Sequence, residues 1–318
     1  MRHVLLAVLV CAVASAPLWA DALEDVLALF PESSDVMVPL TEEGKAQLEA
    51  AIEALKDALG VPEYLDESSE DEVGRLPVAP EDKHLVNKLS QAYYSYADAF
   101  LRDAPVAAQR AAFLKGKQWG FKSLRMNPAF VSFEKQDGFV AAVRQETDVA
   151  ALFWANGNWL RWAEPDIFAA IRAGIAKKSL AMSERALELD STYSIYGSYR
   201  ALAGFWQGMP SDPISAVFTG GLMQDYDKVL YYFCHVVEEP SFCDGVADLI
   251  DPISLQYFEN RVMFAEYYLM PLGHWEDAKR VLESVLAEPI GEQFPLYNAL
   301  SHLNAGDLLE KVNEELGL

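Results

Sequence analysis

The chain has 318 residues, and its 25 Lys and Arg against 48 Asp and Glu give a formal net charge of −23. Hydrophobic residues make up 52% of the chain, an apolar content that excludes an intrinsically disordered protein. The strong negative charge argues against nucleic acid as a partner, because phosphate repels an acidic protein.

The first 20 residues have the features of an export signal. A short polar start precedes an apolar run over residues 4–16, and cleavage is expected after Ala20. The alternative is an N-terminal anchor that is not cleaved. Cys11 lacks the small residue that precedes the cysteine of a bacterial lipobox, so a lipid anchor is not expected. We therefore expect a soluble exported protein.

Apolar residues recur at helical spacing through most of the remaining chain, and no segment alternates like a strand. The first predicted helix spans residues 41–59. The acidic stretch 60–81, which contains prolines, interrupts the pattern and is predicted to be a solvated loop. Further helices are predicted over residues 81–102, 105–126, 147–163, 166–189, 192–208, 226–239, 253–270, 274–288 and 305–316.

Several predicted helices end in a similar way, at Asn127-Pro128, Asp190-Ser191, Glu239-Pro240 and Glu288-Pro289. Small residues upstream of these ends have a spacing like that of tetratricopeptide (TPR) repeats. The sequence therefore predicts an all-α fold of TPR-like helical hairpins stacked into a compact solenoid. The predicted segments are a signal peptide (1–20), an N-terminal helix with an acidic loop (21–81) and a TPR-like domain (82–318). The alternative is a generic helical bundle whose helices end at proline.

No motif for catalysis, metal binding or cofactor binding is found. The four histidines beyond the signal are far apart, and the chain lacks a nucleophile elbow, a phosphate-binding loop and a dinucleotide fingerprint. Glu259 and Glu266 lie near tyrosines, as the two acids of a glycoside hydrolase do, but 48 acids make such proximity expected by chance. We expect no cofactor, no metal and no catalytic residue.

Aromatic side chains are the stronger indication of a binding surface. Trp154, Asn158 and Trp162 recur at i, i+4 and i+8 of one predicted helix, and Tyr93 and Tyr196 belong to two further aromatic clusters. Such rings commonly pack repeats together. The alternative is that they line a concave or tunnel wall for an apolar ligand or a partner helix, which would give the amide of Asn158 a role.

Two cysteines remain after the signal, Cys234 and Cys243. They are nine positions apart with Pro240 between them, so the chain can turn back on itself. They form either a disulfide or two separate buried thiols, since spacing alone does not give the Cα distance that a disulfide needs.

The order of several segments resembles a known family, the T component of tripartite ATP-independent periplasmic (TRAP) transporters. The resemblance extends over about residues 40–316 and is weaker in the C-terminal third. The segments that carry it best are Lys88–Phe100, Phe113–Leu124, Asp148–Trp159, Ser183–Asp190 and Ala201–Phe205. It implies a periplasmic protein of TPR-like hairpins that associates with the solute-binding component, encloses a hydrophobic channel and in some members forms trimers.

These observations lead to three functional hypotheses. In the first, the chain is a non-enzymatic periplasmic scaffold that associates with the solute-binding protein of a TRAP-type transporter and takes an apolar ligand in a channel. In the second, it is a general periplasmic TPR-type adaptor for another protein. In the third, it is a helical carbohydrate-active enzyme.

Overall fold

The structure is a computed structural model and describes residues 23–31, 36–243 and 250–318. The predicted export signal and Cys11 lie outside the described residues. Within them the chain is all-α and contains no strand. A short helical segment at residues 23–28 precedes the first long helix.

The helices that follow have these bounds: α1 Glu42–Ala58, α2 Glu70–Arg75, α3 Lys83–Ser95, α4 Val106–Arg125, α5 Pro128–Asp137, α6 Phe139–Val143, α7 Val149–Ala163, α8 Ile167–Ala173, α9 Ile175–Leu189, α10 Tyr193–Gln207, α11 Pro213–Ala216, α12 Tyr226–Phe233, α13 Pro252–Gln256, α14 Phe258–Phe264, α15 Trp275–Ala287 and α16 Pro295–Leu316. Two π-helical turns, Tyr96–Phe100 and Ala265–Leu269, extend α3 and α14, and short 3₁₀ turns occur at Pro80–Asp82 and Val217–Thr219.

Side-chain caps explain where several of these helices begin. The Asp148 carboxylate accepts a hydrogen bond from the amide of Ala151 at 3.2 Å and so starts α7. Asn127 accepts bonds from the first amides of α5, whose first residue is Pro128. These caps satisfy amides at the helix start that have no partner within the helix.

Most consecutive long helices pack against each other, as in a series of hairpins. The most extensive helix–helix contact joins α4 to α7, where glycines of α4 allow the backbones to approach. A Cβ atom on Gly120 would lie 2.5 Å from the Cα of Ala155, and one on Gly116 would lie 2.2 Å from the Asn158 side chain. These distances are too short for any larger residue, so the crossing requires glycine at both positions.

The last helix returns to the first part of the chain. The hydroxyls of Ser95 and Tyr297 are 3.1 Å apart, and Arg102 forms an ion pair with Asp307 at 2.7 Å. Apolar side chains at the start of α16 share one core with those of α1 and α3. The helices therefore close on themselves, and the inner faces of α3, α7, α10 and α14 lie toward one another.

The helix prediction differs from the structure in several places. The helix predicted over 166–189 is divided at Gly174 into α8 and α9, the one predicted over 226–239 ends at Phe233, and the one predicted over 305–316 begins at Pro295. The stretch predicted as an acidic loop contains α2, which Ser69 caps. Residues 128–143 form α5 and α6, where no helix was predicted. The helix predicted over 253–270 is divided at Tyr257, whose backbone is extended, into α13 and α14.

Candidate functional site: a charged and aromatic cluster between four helices

The inner face of α7 presents Trp154, Gly157 and Arg161 toward α3. The absence of a side chain at Gly157 makes room for the ring of Tyr94, because a Cβ atom there would lie 3.2 Å from the Tyr94 Cε2 atom. The Tyr94 ring also packs against Trp154, with ring centroids 5.5 Å apart. Gly204 of α10 has the same relation to Tyr267, at 3.3 Å. Small residues thus leave two tyrosine rings room at the centre of the closed array.

Charged groups from all four helices meet at these rings. Arg161 is paired with Asp98 and with Glu164, the latter at 2.8 Å, and 34% of its side chain is exposed. Arg200 of α10 pairs with Glu259 of α14 at 3.1 Å. We call the group of residues Tyr94, Asp98, Arg161, Arg200, Glu259 and Tyr267 the central cluster.

The protonation of the central cluster reflects its position among four helices. Burial raises the pKa of the Glu259 carboxyl above its ordinary value; Arg200 opposes this effect and Asp98 adds to it. Burial also raises the pKa of Tyr94 and of Tyr267. The Glu259 side chain nevertheless keeps 24% of its surface exposed. The Glu259 carboxyl therefore remains partly open to solvent among the charged groups and rings that surround it.

A strained turn adjoins the central cluster at the start of α10. Ser194, Ile195 and Tyr196 all have positive φ, between 50° and 62°, in the left-handed region that residues with a side chain rarely adopt. Arg200 donates hydrogen bonds to the carbonyl oxygens of Ser194 and Ile195 and to the Asn260 side chain.

The guanidinium of Arg200 is thus shared between this turn and Glu259. Its side chain is 6% exposed, and it also lies over the Tyr257 ring at 4.6 Å. Backbone strain of this kind persists only where surrounding contacts impose it, and it occurs often at ligand-binding sites. We call residues 194–196 the left-handed turn.

Trp154 and Asn158 are buried and hold α7 to its neighbours. The indole N–H of Trp154 donates to the hydroxyl of Tyr193 at 2.8 Å, and Trp154 is 4% exposed. Asn158 is fully buried, and its amide donates to the backbone oxygens of Ser90 and Trp154. Trp154 borders the central cluster through Tyr94, whereas Asn158 faces α3 and α4.

Trp162 lies on a different side of α7 from Trp154. Arg110 stacks over the Trp162 ring at 4.8 Å and donates to its backbone oxygen. Positions eight residues apart on a helix differ by about 80° around its axis, which is enough to send two side chains to different neighbours. The structure therefore does not bring Trp154 and Trp162 together on one wall.

The two predicted tyrosines also have separate environments. Tyr93 is buried and donates its hydroxyl proton to Glu67 at 2.7 Å. Tyr196 belongs to the left-handed turn and donates to Asp251 at 2.9 Å, and burial raises its pKa to about 12. Of these two tyrosines, Tyr196 is the one that lies next to the central cluster.

Sequence reasoning missed Glu67, which lies in the stretch predicted as a solvated loop. Its carboxylate is 6% exposed and accepts hydrogen bonds from Tyr93 and from the indole of Trp119 at 2.8 Å. The Nζ atoms of Lys56 and Lys115 lie 3.4 and 3.7 Å from the Oε1 atom of the same carboxylate. We call these five residues the Glu67 cluster. The sequence does contain one indication that an acid packs against α4. This helix carries five cations and no acid, in a chain with almost twice as many acids as bases.

Cys234 and Cys243 are joined by a disulfide, with their Cα atoms 5.3 Å apart. The bond closes the turn that follows α12. His235, next to Cys234, stacks on Tyr199 and bonds the backbone oxygen of Tyr231. In the part of the chain that the structure describes, no group of three or more His, Cys, Asp or Glu side chains has the geometry to hold a metal ion.

The acid pair considered for glycoside hydrolysis is divided between two environments. Glu259 is ion-paired with Arg200, whereas Glu266 is exposed on the following π-helical turn. Among the described helices, none has both the length and the apolar composition needed to span a bilayer.

Residues 76–215 match the model of the TRAP transporter T-component family. This match supports the resemblance of the chain to that family. The match begins just before α3 and ends in α11, so it includes the helices that contribute Tyr94, Arg161 and Arg200 to the central cluster. No curated protein is significantly similar to the chain. The family is a component of TRAP transporters and is not an enzyme family, and it is consistent with a periplasmic location.

Proposed function

We propose that the chain is a non-enzymatic periplasmic scaffold that associates with the solute-binding component of a TRAP-type uptake transporter. We also propose that it takes a ligand at the central cluster. The family match over residues 76–215 is the observation that carries this proposal. TPR-like hairpins commonly present concave surfaces to protein partners, which agrees with a scaffold role.

The central cluster supports a ligand with an apolar body and a polar end. The rings of Tyr94 and Tyr267 lie against glycines and offer apolar faces, while Asp98, Arg161 and Glu259 supply charged groups of both signs. A mostly apolar pocket with a few convergent polar groups is the usual form of a small-molecule site. Because the charged groups are already paired with each other, they would orient the ligand more than attract it.

Native mass spectrometry of the protein released gently from its own periplasm tests the partner. A solute-binding protein in fixed ratio would support the proposal and give the stoichiometry, including whether the scaffold is a homotrimer. An unrelated partner would favour the general adaptor. A chain that carries no partner would contradict both interpretations.

A substitution that displaces the Tyr94 ring of the central cluster tests the ligand. Gly157→Leu places a side chain against the Tyr94 ring, whereas Gly306→Leu places one on α16 where no atom lies within 4 Å. We expect Gly157→Leu to remove ligand mass from the native spectrum and Gly306→Leu to keep it. If both variants keep the ligand, it does not bind at the central cluster.

The enzyme alternative is tested on the same protein. Hydrolysis of a panel of oligosaccharides that is lost in Glu259→Gln would contradict a non-enzymatic scaffold. We expect no hydrolysis above the rate of the buffer.

A further inference from the structure

Two lysines from different helices converge on one indole ring, away from the central cluster. The Nζ atom of Lys117 in α4 lies 5.7 Å from the centre of the Trp159 ring, and that of Lys178 in α9 lies 5.5 Å from it. Phe121, Phe139 and Trp162 surround the two ammonium groups. The lysine pair is therefore held within an aromatic enclosure.

The positive charge of the lysine pair is poorly neutralised. Lys117 is 9% exposed, and the carboxylate nearest to it among the described residues, that of Glu70, is 3.6 Å away. Glu70 makes a shorter contact, 2.6 Å, with Arg125. Lys178 donates to the backbone oxygen of Ala173 and has no carboxylate within 4 Å in the described part of the chain. In a protein of net charge −23, it is unexpected that Lys117 has only a carboxylate that it shares with Arg125 and that Lys178 has none in the described part of the chain.

Two further features of this site are an unpaired hydrogen-bond donor and the electrostatic repulsion between its cations. The indole N–H of Trp159 is buried, in a residue that is 3% exposed, and it has no hydrogen-bond partner among the described residues. A buried donor without a partner destabilises the fold, and a ligand that accepts its hydrogen bond would remove this cost. Burial lowers the pKa of Lys117; Glu70 opposes this, while Arg125 and Lys178 lower it further.

We propose that Lys117 and Lys178 bind a small oxyanion beside Trp159. An oxyanion offers several acceptors to ammonium groups, and the aromatic enclosure, which has a low dielectric constant, strengthens such charged hydrogen bonds. A carboxylate and an inorganic oxyanion such as sulfate share this chemistry. The site lies on the side of α7 that faces α4 and α9 and does not depend on the proposed partner or on the ligand at the central cluster.

The test follows the indole N–H resonance of Trp159 in protein labelled with ¹⁵N-tryptophan. Trp159→Phe assigns the resonance. The protein is titrated with sodium acetate or sodium sulfate, and with sodium chloride at equal ionic strength. We expect a saturable shift with at least one oxyanion and none with chloride. Tighter acetate binding identifies a carboxylate site, and tighter sulfate binding identifies an inorganic oxyanion site.

Charge-removing variants locate the site. Lys178→Gln and Lys117→Gln should each weaken binding about tenfold or more, which is the loss of one charged hydrogen bond. Lys177→Gln removes the same charge from the exposed neighbour and should leave binding unchanged. Dispersed resonances from the other tryptophans confirm folding, and Lys178→Gln decides the test if the more buried Lys117 variant does not fold. No saturable shift, an equal shift with chloride, or full binding by the folded lysine variants would overturn the proposal.

Discussion

Glu67 and Glu259 are both enclosed by aromatic side chains, but they are paired in different ways. The carboxylate of Glu67 receives two neutral donors and two lysines, and it is 6% exposed. Glu259 shares one buried arginine with the left-handed turn and keeps 24% of its surface in contact with solvent. The Glu67 cluster has the features of a structural contact that holds segments together. The central cluster combines partly exposed charges with a strained backbone turn, as binding sites often do.

The difference follows from what each carboxylate joins. Glu67 fixes the acidic segment before α2 to α3 and α4, and the contacts of Lys122 with the backbone oxygens of Gly74 and Leu76 continue the same attachment. Glu259 instead joins α14 to α10 and stays partly exposed to solvent. A buried charge with several partners resists rearrangement, while one whose main ionic partner is shared with the backbone of a turn can change it at smaller cost.

The largest expected effect is on Glu67. Glu67→Ala leaves two lysines, a tyrosine hydroxyl and an indole N–H without their acceptor, so the free energy of unfolding should fall by about 3–5 kcal/mol. Urea unfolding at pH 7 measures the change. Glu63→Ala, at an exposed position of the same segment, should change stability by less than about 0.5 kcal/mol. Equal small effects in both variants would show that the Glu67 cluster does not fasten the segment.

Arg200 should have a smaller effect although it is as deeply buried. Arg200→Met removes donors from Ser194 and Ile195 and the partner of Glu259, but it also lets the left-handed turn relax. We expect a loss of about 2–3 kcal/mol in urea unfolding. Hydrogen exchange should accelerate at residues 194–197 more than in α4. Arg144→Met, at an exposed position, is the control, and unchanged exchange in the turn would contradict the role given to Arg200.

The left-handed turn can be tested by one substitution at two positions of α10. Ser194→Gly places glycine where φ is 52° and should stabilise the protein by about 0.5–1 kcal/mol. This value is the backbone strain that glycine relieves, reduced by the greater conformational entropy that glycine gives the unfolded chain. Ser198→Gly in the helical part of α10 should destabilise it by about 0.5 kcal/mol. Opposite signs in thermal or urea unfolding identify strain at residue 194. Destabilisation by both would place no strain there.

Sequence periodicity predicts what is local in this molecule. Amphipathic spacing identified α1, α4, α7 and α15 within a few residues, and the order of segments predicted the family whose model matches residues 76–215. Asn127-Pro128 was interpreted as the end of one helix, but the same two residues also cap and start the next. A boundary signal of this kind has two valid interpretations, and the chain here uses both.

What depends on distant contacts was not predicted. A run of acids does not show which carboxylate is buried, so Glu67 could not be distinguished from its exposed neighbours. The convergence of Asp98, Arg161 and Glu259 requires that the array close on itself, a property of no single segment. The left-handed turn contains no glycine, so the sequence gives no sign of its positive φ angles. Hydrogen bonds from Arg200 to its carbonyl oxygens maintain this conformation.

Glu70 and Glu259 should make the stability of the protein depend on pH in opposite directions. Burial raises the pKa of the Glu70 carboxyl, but Arg125 and then Lys117 outweigh it, so the pKa lies below its ordinary value. A carboxyl of this kind stabilises the fold above its unfolded pKa, and this contribution is lost as pH falls through the folded value. The raised pKa of Glu259 acts in the opposite direction, because the folded state binds the proton more tightly and loses stability as pH rises through the folded value.

Two neutral variants measure these opposite slopes. Urea midpoints are determined between pH 7 and pH 4 for the unmodified protein, Glu70→Gln and Glu259→Gln. The stability advantage of the unmodified protein over Glu70→Gln should shrink on acidification, because protonation removes the charge that the variant already lacks. Relative to Glu259→Gln the unmodified protein should instead gain stability as pH falls. Slopes of the same sign for both variants would mean that Arg200 stabilises the ionised form of Glu259 as strongly as Arg125 stabilises that of Glu70. The two carboxylates would then differ in their location and not in their electrostatic environment.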